Sequence, residues 1–481
     1  MGLLTLLLGT LIPWLGGTLW LIFADSRFSG KTPVNVFRQI GYGFFLGYAV
    51  LFLAIVISEK LGGGASWLYL MVFLVIFATA GALAAWWCRD SIIYLQRSKP
   101  AFPTSNSKRL FLAVILLLTL VHLVFVVVEI TTQAIYPWDA WLVWVYRAKA
   151  WFLSGSMVDF VAATEWSTAT SADVFTIEAW PYPLFPSVVP YWAALSLGQW
   201  SETLVNLPVL CAGLAIGMAL YGQCREHGLS VFISLIVCYL LYSIPLLGTH
   251  LALAGYADVW MAGFTGLGFI AVMRSAMTLS EANWHPMQMI VGSLMIIFGI
   301  WVKNEGAVWF LAALAMLLLA TCRPRVPILM IVSAVVIILL GFTLGHTYVD
   351  IPWIGGLGVV KDKLSIPFIG SFTLETHNVW RVYWENFINM GSWNLLWVAV
   401  AGSLLLGFRS PNLLSGYRVR RTALSFILIF LSTQVFIFGF TDKGLWADTY
   451  TAINRLPIHF VPTLLFAIVT IVHASLENED G

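Results

Sequence analysis

Charge is what this sequence has least of. Of its 481 residues 10% are charged and 60% hydrophobic, and the mean hydropathy is +0.88. Soluble globular chains carry roughly 25% charged residues, so a water-soluble domain of this length is excluded. The net charge of +2 offers nothing to a polyanion, and no nucleic-acid partner is expected. Cysteine is scarce too. Cys88, Cys211, Cys224, Cys238 and Cys322 lie in or beside apolar runs without metal-ligand spacing, which argues against a disulfide framework and against a zinc site. No glycine-rich phosphate loop follows a strand-like run, so no nucleotide cofactor is expected. The sequence also lacks a low-complexity tract, an inverted internal repeat and a stretch that reads as a soluble domain.

What is present is a series of long apolar runs. A bilayer-spanning helix needs about 20 mostly apolar residues. Such runs lie near 3–22, 39–58, 66–88, 109–130, 203–222, 229–248, 258–275, 287–302, 304–321, 327–345, 392–408, 422–440 and 456–473. They predict an all-α polytopic integral membrane protein with about 13 transmembrane helices. The first run has neither a basic leader nor a small-residue cleavage site and reads as a retained span. Residues 182–198 are apolar, but the segment is short and Pro183, Pro186 and Pro190 interrupt it. Counting it as a span would invert every later loop, so it is expected to be a re-entrant or interfacial helix.

Excess Lys and Arg mark the cytoplasmic side of a membrane protein. The clusters Arg27/Lys31/Arg38, Arg89/Arg97/Lys99/Lys108/Arg109, Arg323/Arg325 and Arg409/Arg418/Arg420/Arg421, with Arg225 and Arg274 singly, alternate with the spans if the N-terminus is outside and the C-terminus inside. Two long outer loops follow, 131–202 and 346–391. The expected organisation is a three-span extension (1–108), a membrane module containing the first outer loop (109–345), and an outer loop with C-terminal spans (346–481). The aromatic content of 15%, with 23 Trp, suits membrane interfaces and sugar-facing surfaces alike. The acidic tail Glu477-Asn478-Glu479-Asp480 reads as a solvated end.

Candidate chemistry gathers on the outer side. Tyr136-Pro137-Trp138-Asp139-Ala140-Trp141 opens the first loop. At α-helical spacing Trp138, Trp141, Trp144, Val145, Trp151 and Phe152 share one face, which predicts an amphipathic helix with its aromatic side towards lipid. Asp139, Tyr146 and, at the edge, Arg147 fall on the other side. Asp139 follows a proline at the helix start, so it can cap the helix, act as a general base, or do both. Glu129, one span earlier, is placed to line the same cavity. Trp180-Pro181-Tyr182-Pro183-Leu184-Phe185-Pro186 is stiffened by its prolines, and is either a rigid lead-in to a helix or a wall presenting the Tyr182 hydroxyl.

Three further motifs stand at span ends. Asp258, in Gly255-Tyr256-Ala257-Asp258, caps a span or binds a substrate. Lys303 and Glu305, in Lys303-Asn304-Glu305-Gly306, sit between two apolar runs, where charge tends to face a cavity. They either solvate a tight turn, or Lys303 contacts a phosphate with Glu305 tuning the site. Arg455, in Asn454-Arg455-Leu456-Pro457-Ile458-His459, either snorkels to headgroups or reads a phosphate. His459 lies one turn deeper, where a lone histidine is usually a hydrogen-bonded structural residue. Lys361, Lys363, His377, Arg381 and Glu385 in the second long loop form no interpretable motif.

In order and sidedness these residues resemble the GT-C superfamily of membrane glycosyltransferases, most of all its polyprenyl-phosphate-sugar-dependent branch, which includes protein O-mannosyltransferase-like and lipid A aminoarabinose transferase-like enzymes. The matching positions are Asp139, Tyr182-Pro183, Asp258 and Arg455, over about 109–475. Three spans precede the Asp-bearing unit here, and the Tyr-Pro-Pro element reads Tyr182-Pro183-Leu184. The resemblance implies a GT-C-like helical fold with outer-face juxtamembrane helices, and inverting glycosyl transfer on the non-cytoplasmic face. The implied donor is a sugar on a polyprenyl phosphate and the implied acceptor a lipid, a glycan or a protein.

On that scheme Asp139 is the base. Lys303 and Arg455 hold the donor phosphate, with Arg147 and Lys149 as further phosphate contacts. Asp258, Tyr182, Glu305 and His459 bind substrate. No metal or other cofactor is required, although Asp139 with Asp258 would offer oxygen ligands to a divalent cation. The expected location is a bacterial inner membrane with the site facing the periplasm. The rival readings are a lipid-linked glycan flippase or transporter and a glycan polymerase or ligase. Charge gathered at one face, and scarce at mid-span, favours an interfacial enzyme over a transporter.

Overall fold

The computed structural model describes residues 2–28, 34–88, 105–171, 174–279, 284–322, 336, 343, 348–351, 355–366, 370–409 and 417–476. Most of these are helical. Eight helices are long and apolar enough to cross a membrane: Gly2–Phe28, Val36–Lys60, Trp67–Trp87, Asn106–Thr132, Leu204–Glu226, Asp258–Met277, Tyr417–Phe440 and Leu456–Leu476. The predicted span at 229–248 is instead a bent pair, Val231–Ser243 and Pro245–Ala252, angled by 65°. Pro245 causes the break, since it lacks an N–H and holds Ile244 in extended backbone. Pro286–Val302, Glu305–Thr321 and Leu396–Arg409 are shorter apolar helices. The predicted span 327–345 lies outside the described residues, apart from two isolated positions, as do Lys31, Arg89, Arg97, Lys99, Arg323, Arg325 and the acidic tail. The described residues therefore carry eight spanning-length helices, or nine with the bent pair, beside three shorter apolar ones.

The all-α expectation holds in the main, with a few short strands added. In the second long loop, Tyr348–Ile351, Gly355–Val360, Lys363–Ile366 and Gly370–Thr373 form an antiparallel four-stranded meander. A parallel pair, Asp159–Val161 with Val174–Thr176, lies in the first. Strands this short, in glycine-rich sequence, give no clear two-residue alternation, so periodicity alone does not reveal them.

The three N-terminal helices are built into the core. Gly2–Phe28 crosses Val36–Lys60 so closely that a Cβ on Gly47 would lie 1.9 Å from the Pro13 carbonyl oxygen. Val36–Lys60 also presents Phe44, Phe45 and Tyr48 to Trp260, with Phe44 stacked on it at 5.8 Å. Asp258–Met277 runs through the middle of the bundle, buried throughout. Polar side chains gather at both of its ends. At one end Arg274 donates to the Glu226 carbonyl at 2.8 Å, and Arg38 bonds to Asp25 at 2.6 Å and to the Glu226 carboxylate at 2.7 Å. Asp258 is 16 residues away along the helix, about 24 Å at 1.5 Å per residue. A bundle with charge confined to its two ends is what an apolar mid-section between two polar faces demands.

Candidate active site

The helices that position the site are irregular where it matters. A π-helical turn, Ala140–Trp144, follows Asp139 directly, and another, Ala262–Gly266, begins four residues after Asp258. Such turns insert a residue into the α period and often mark functional sites. This one explains why the predicted aromatic face does not hold. Trp138 and Trp141 stay exposed, at 70% and 61%, but from the end of the turn onward Trp144, Val145 and Trp151 are buried. Asp139 does not cap its helix, because its carboxylate is engaged elsewhere.

At the centre is Asp258, with no exposed surface. Its Oδ1 accepts from Lys303 Nζ at 3.1 Å and from His459 Nε2 at 3.0 Å. Its Oδ2 accepts from Arg455 Nη2 at 2.8 Å and Nε at 3.2 Å. His250 Nδ1 lies 3.3 Å from the same oxygen, without hydrogen-bond geometry. A buried carboxylate with two cationic partners satisfies both sides of the desolvation cost. Arg455 reaches across to Asp139, whose Oδ2 accepts from Nη2 at 2.6 Å. Its guanidinium lies 4.7 Å over the Tyr256 ring, which stacks on His250. Lys303 also approaches Glu305, at 3.3 Å. Burial opposes charge on Lys303, but Asp258 and Glu305 outweigh it and hold the ammonium above the usual lysine range. Arg455 is held up in the same way by Asp258 and Asp139 against its burial.

The cluster opens into a cleft of about 440 Å³. Trp138, Asp139, Trp144, Glu178, Tyr182, Lys303, Glu305, Trp446, Thr451 and Arg455 line it among others. Tyr182, Glu305 and Trp446 also line an adjoining, mainly apolar cavity of about 310 Å³ between the Glu305–Thr321 and Tyr417–Phe440 helices and the strand Gly370–Thr373. The Tyr182 ring meets Trp144 edge-on at 5.3 Å. Burial, with Glu305 next, pushes its phenol up, so Tyr182 stays a neutral hydroxyl.

No family model, curated protein or solved structure matches this chain. Functional assignment therefore rests on the site itself.

Asp139, Tyr182, Asp258, Lys303, Glu305, Arg455 and His459 converge, as the sequence suggests. Two residues do not join them. Arg147 is buried, and its guanidinium donates to the carbonyls of Tyr182 at 3.1 Å and Trp180 at 2.8 Å. Instead of facing a phosphate it ties down the loop that carries Tyr182, and burial pushes it down to about 10. Lys149 pairs with Glu202 at 2.6 Å beside Trp200, outside the cleft. Glu129 does not line the cleft either. The Asp139–Asp258 cation site does not fit, because cationic donors already take both oxygens of Asp258. The 182–198 segment becomes the helix Phe185–Leu197, packed into the bundle and not lying on its surface.

Sequence reasoning missed His250, Tyr256, Trp309, Glu178 and Trp446. A histidine inside an apolar run was a usable signal for His250. Trp446 sits in a short connection with nothing local to mark it.

Proposed function

We propose that this chain is a GT-C-type glycosyltransferase that moves a sugar from a polyprenyl-phosphate donor to the hydroxyl of a lipid, glycan or protein acceptor, at the periplasmic face of a bacterial inner membrane. The observation that carries this reading is the 2.6 Å contact between Asp139 and Arg455 at the mouth of an aromatic-walled cleft, above the buried Asp258–Lys303 pair. It brings together a carboxylate suited to take a proton, two permanent cations suited to a phosphate, and rings suited to pack on a sugar.

In the proposed reaction the acceptor oxygen attacks the anomeric carbon. The bond from that carbon to the phosphate oxygen breaks, and polyprenyl phosphate leaves with the electron pair. The acceptor proton passes to the Asp139 carboxylate. Arg455 and Lys303 stabilise the charge that grows on the phosphate, so a general acid is not needed. Attack opposite the leaving group inverts the anomeric centre. The test is a liposome assay with labelled polyprenyl-phosphate sugars and an extract of membrane lipids and glycans, comparing wild type with Asp139→Asn. One sugar transferred by wild type alone supports the reading. Donor moved intact across the bilayer would replace it with a flippase, and transfer of a whole pre-assembled chain with a ligase.

A further inference from the structure

Arg455 and Asp139 occupy one another. A cation meant for a phosphate and a carboxylate meant for a hydroxyl proton are both spent on a single ion pair. We infer that Asp139 holds the place of an oxyanion: an anion of the phosphate class displaces it from Arg455, and the same exchange frees its carboxylate. This deepens the reading above, because donor binding then switches on the base and must precede acceptor activation.

The geometry makes Asp139 the partner that leaves. Arg455 is anchored from below by two bonds to Asp258, which is sealed from solvent and held in turn by Lys303 and His459. The guanidinium therefore keeps its position when its upper partner goes. Asp139 has 29% of its side chain exposed, and Arg455 is the one described residue to which its carboxylate bonds. It makes no helix-capping bond, and a π turn follows it directly. Glu305 is placed differently. One of its oxygens is sealed, and its helix starts at a close crossing, where a Cβ on Gly306 would lie 2.3 Å from the Gly299 backbone. A donor for the arriving anion also stands ready. The Trp144 indole N–H is buried in the cleft wall without a hydrogen-bond partner among the described residues.

The exchange is tested on purified full-length protein in detergent, titrated with inorganic phosphate and with a short-chain polyprenyl phosphate. Binding isotherms and infrared difference spectra of the carboxylate bands are recorded. In wild type, binding shifts a carboxylate band, and Asp139→Asn abolishes that shift. Asp139→Asn binds phosphate about tenfold tighter, the order expected when one charge-assisted hydrogen bond no longer competes. Glu305→Gln gains less than threefold. The tenfold gain disappears when Asp139→Asn is combined with Arg455→Gln, or with Arg455→Lys where the glutamine variant fails to fold, since coupled partners are not additive.

A gain that persists without the guanidinium, an equal gain from Glu305→Gln, or an unmoved carboxylate band overturns the exchange. So does failure of both ligands to bind. Competition between the two ligands supports it with a lipid phosphate as the source. Binding of inorganic phosphate that polyprenyl phosphate does not compete for supports it with free phosphate as the source, and removes the donor role of the site. Sugar transfer is not scored here, so a protein that exchanges anions but transfers no sugar keeps this inference and loses the glycosyltransferase reading.

Discussion

Trp309 donates its indole N–H to His459 Nδ1 at 3.2 Å. An indole nitrogen can only donate, so Nδ1 must accept and the imidazole proton lies on Nε2, facing Asp258 at 3.0 Å. His459 is thus a neutral donor to Asp258, and Trp309 sets its tautomer. Trp309→Phe leaves a buried acceptor unsatisfied and should cost about 1–3 kcal/mol. Thermal unfolding in detergent measures it. A variant as stable as wild type would show that the tautomer is set by Asp258 alone.

Asp258 and Asp139 should respond oppositely to the same substitution. Asp258→Asn leaves Lys303 and Arg455 buried with reduced compensation, and breaking a buried pair in this way costs about 3–5 kcal/mol. Loss of folded protein, read by size-exclusion yield and protease resistance, is expected. Asp139 lies at the cleft mouth, so Asp139→Asn should fold. It should lose about 10²–10⁴ in transfer rate, the usual contribution of a general base.

Arg147 and Lys149 are two positions apart but should differ. Arg147→Gln removes the bonds to the Trp180 and Tyr182 carbonyls, and should lower transfer at least tenfold by loosening the wall that carries Tyr182. Lys149→Ala breaks a pair in which both side chains are more than 40% exposed, and should change neither transfer nor stability measurably. Equal effects in a rate assay would contradict the geometry.

Chelation should leave transfer within about twofold. The carboxylate best placed to join Asp139 around a cation is Asp258, whose oxygens are already bonded to Lys303, His459 and Arg455. Activity lost to a chelator and restored by Mg²⁺ or Mn²⁺ would require Asp139 to recruit other ligands.

The pH dependence follows from the raised lysine. The stabilisation that Lys303 contributes is fully present below the ordinary lysine value of 10.5. It is lost only as pH rises through the higher folded value. Arg455 is shifted in the same direction. The contributions of Lys303 and Arg455 to phosphate binding and to stability should therefore stay constant between about pH 7 and about pH 10, leaving only the ligand's own second ionisation, which strengthens binding as pH rises. A fall in binding centred near neutrality would mean that a histidine, and not Lys303 or Arg455, supplies the positive charge.

The sequence by itself determined that the chain belongs in a membrane, because so little charge and so many long apolar runs leave no other solvent for it. It also marked most of the site. Asp139, Tyr182, Asp258, Lys303, Glu305, Arg455 and His459 were legible because ionisable or polar groups at the ends of apolar runs are costly, and so stand out. It did not reveal the β-meander or the break in the 229–248 segment, where local pattern is weak. Nor did it reveal the polar cluster of Asp25, Arg38 and Glu226, whose basic member reads from sequence only as a mark of sidedness.

Only the tertiary structure decided who partners whom. Asp139 and Arg455 are 316 positions apart, and no local period links them. Arg147 and Lys149 found their partners in the Trp180 and Tyr182 carbonyls and in Glu202, more than 30 positions along the chain. Asp258 became a sealed anchor and Asp139 an accessible partner because one stands on a helix buried on all sides and the other at the partly exposed start of a helix. Burial, which sequence encodes only as an average, separated their roles.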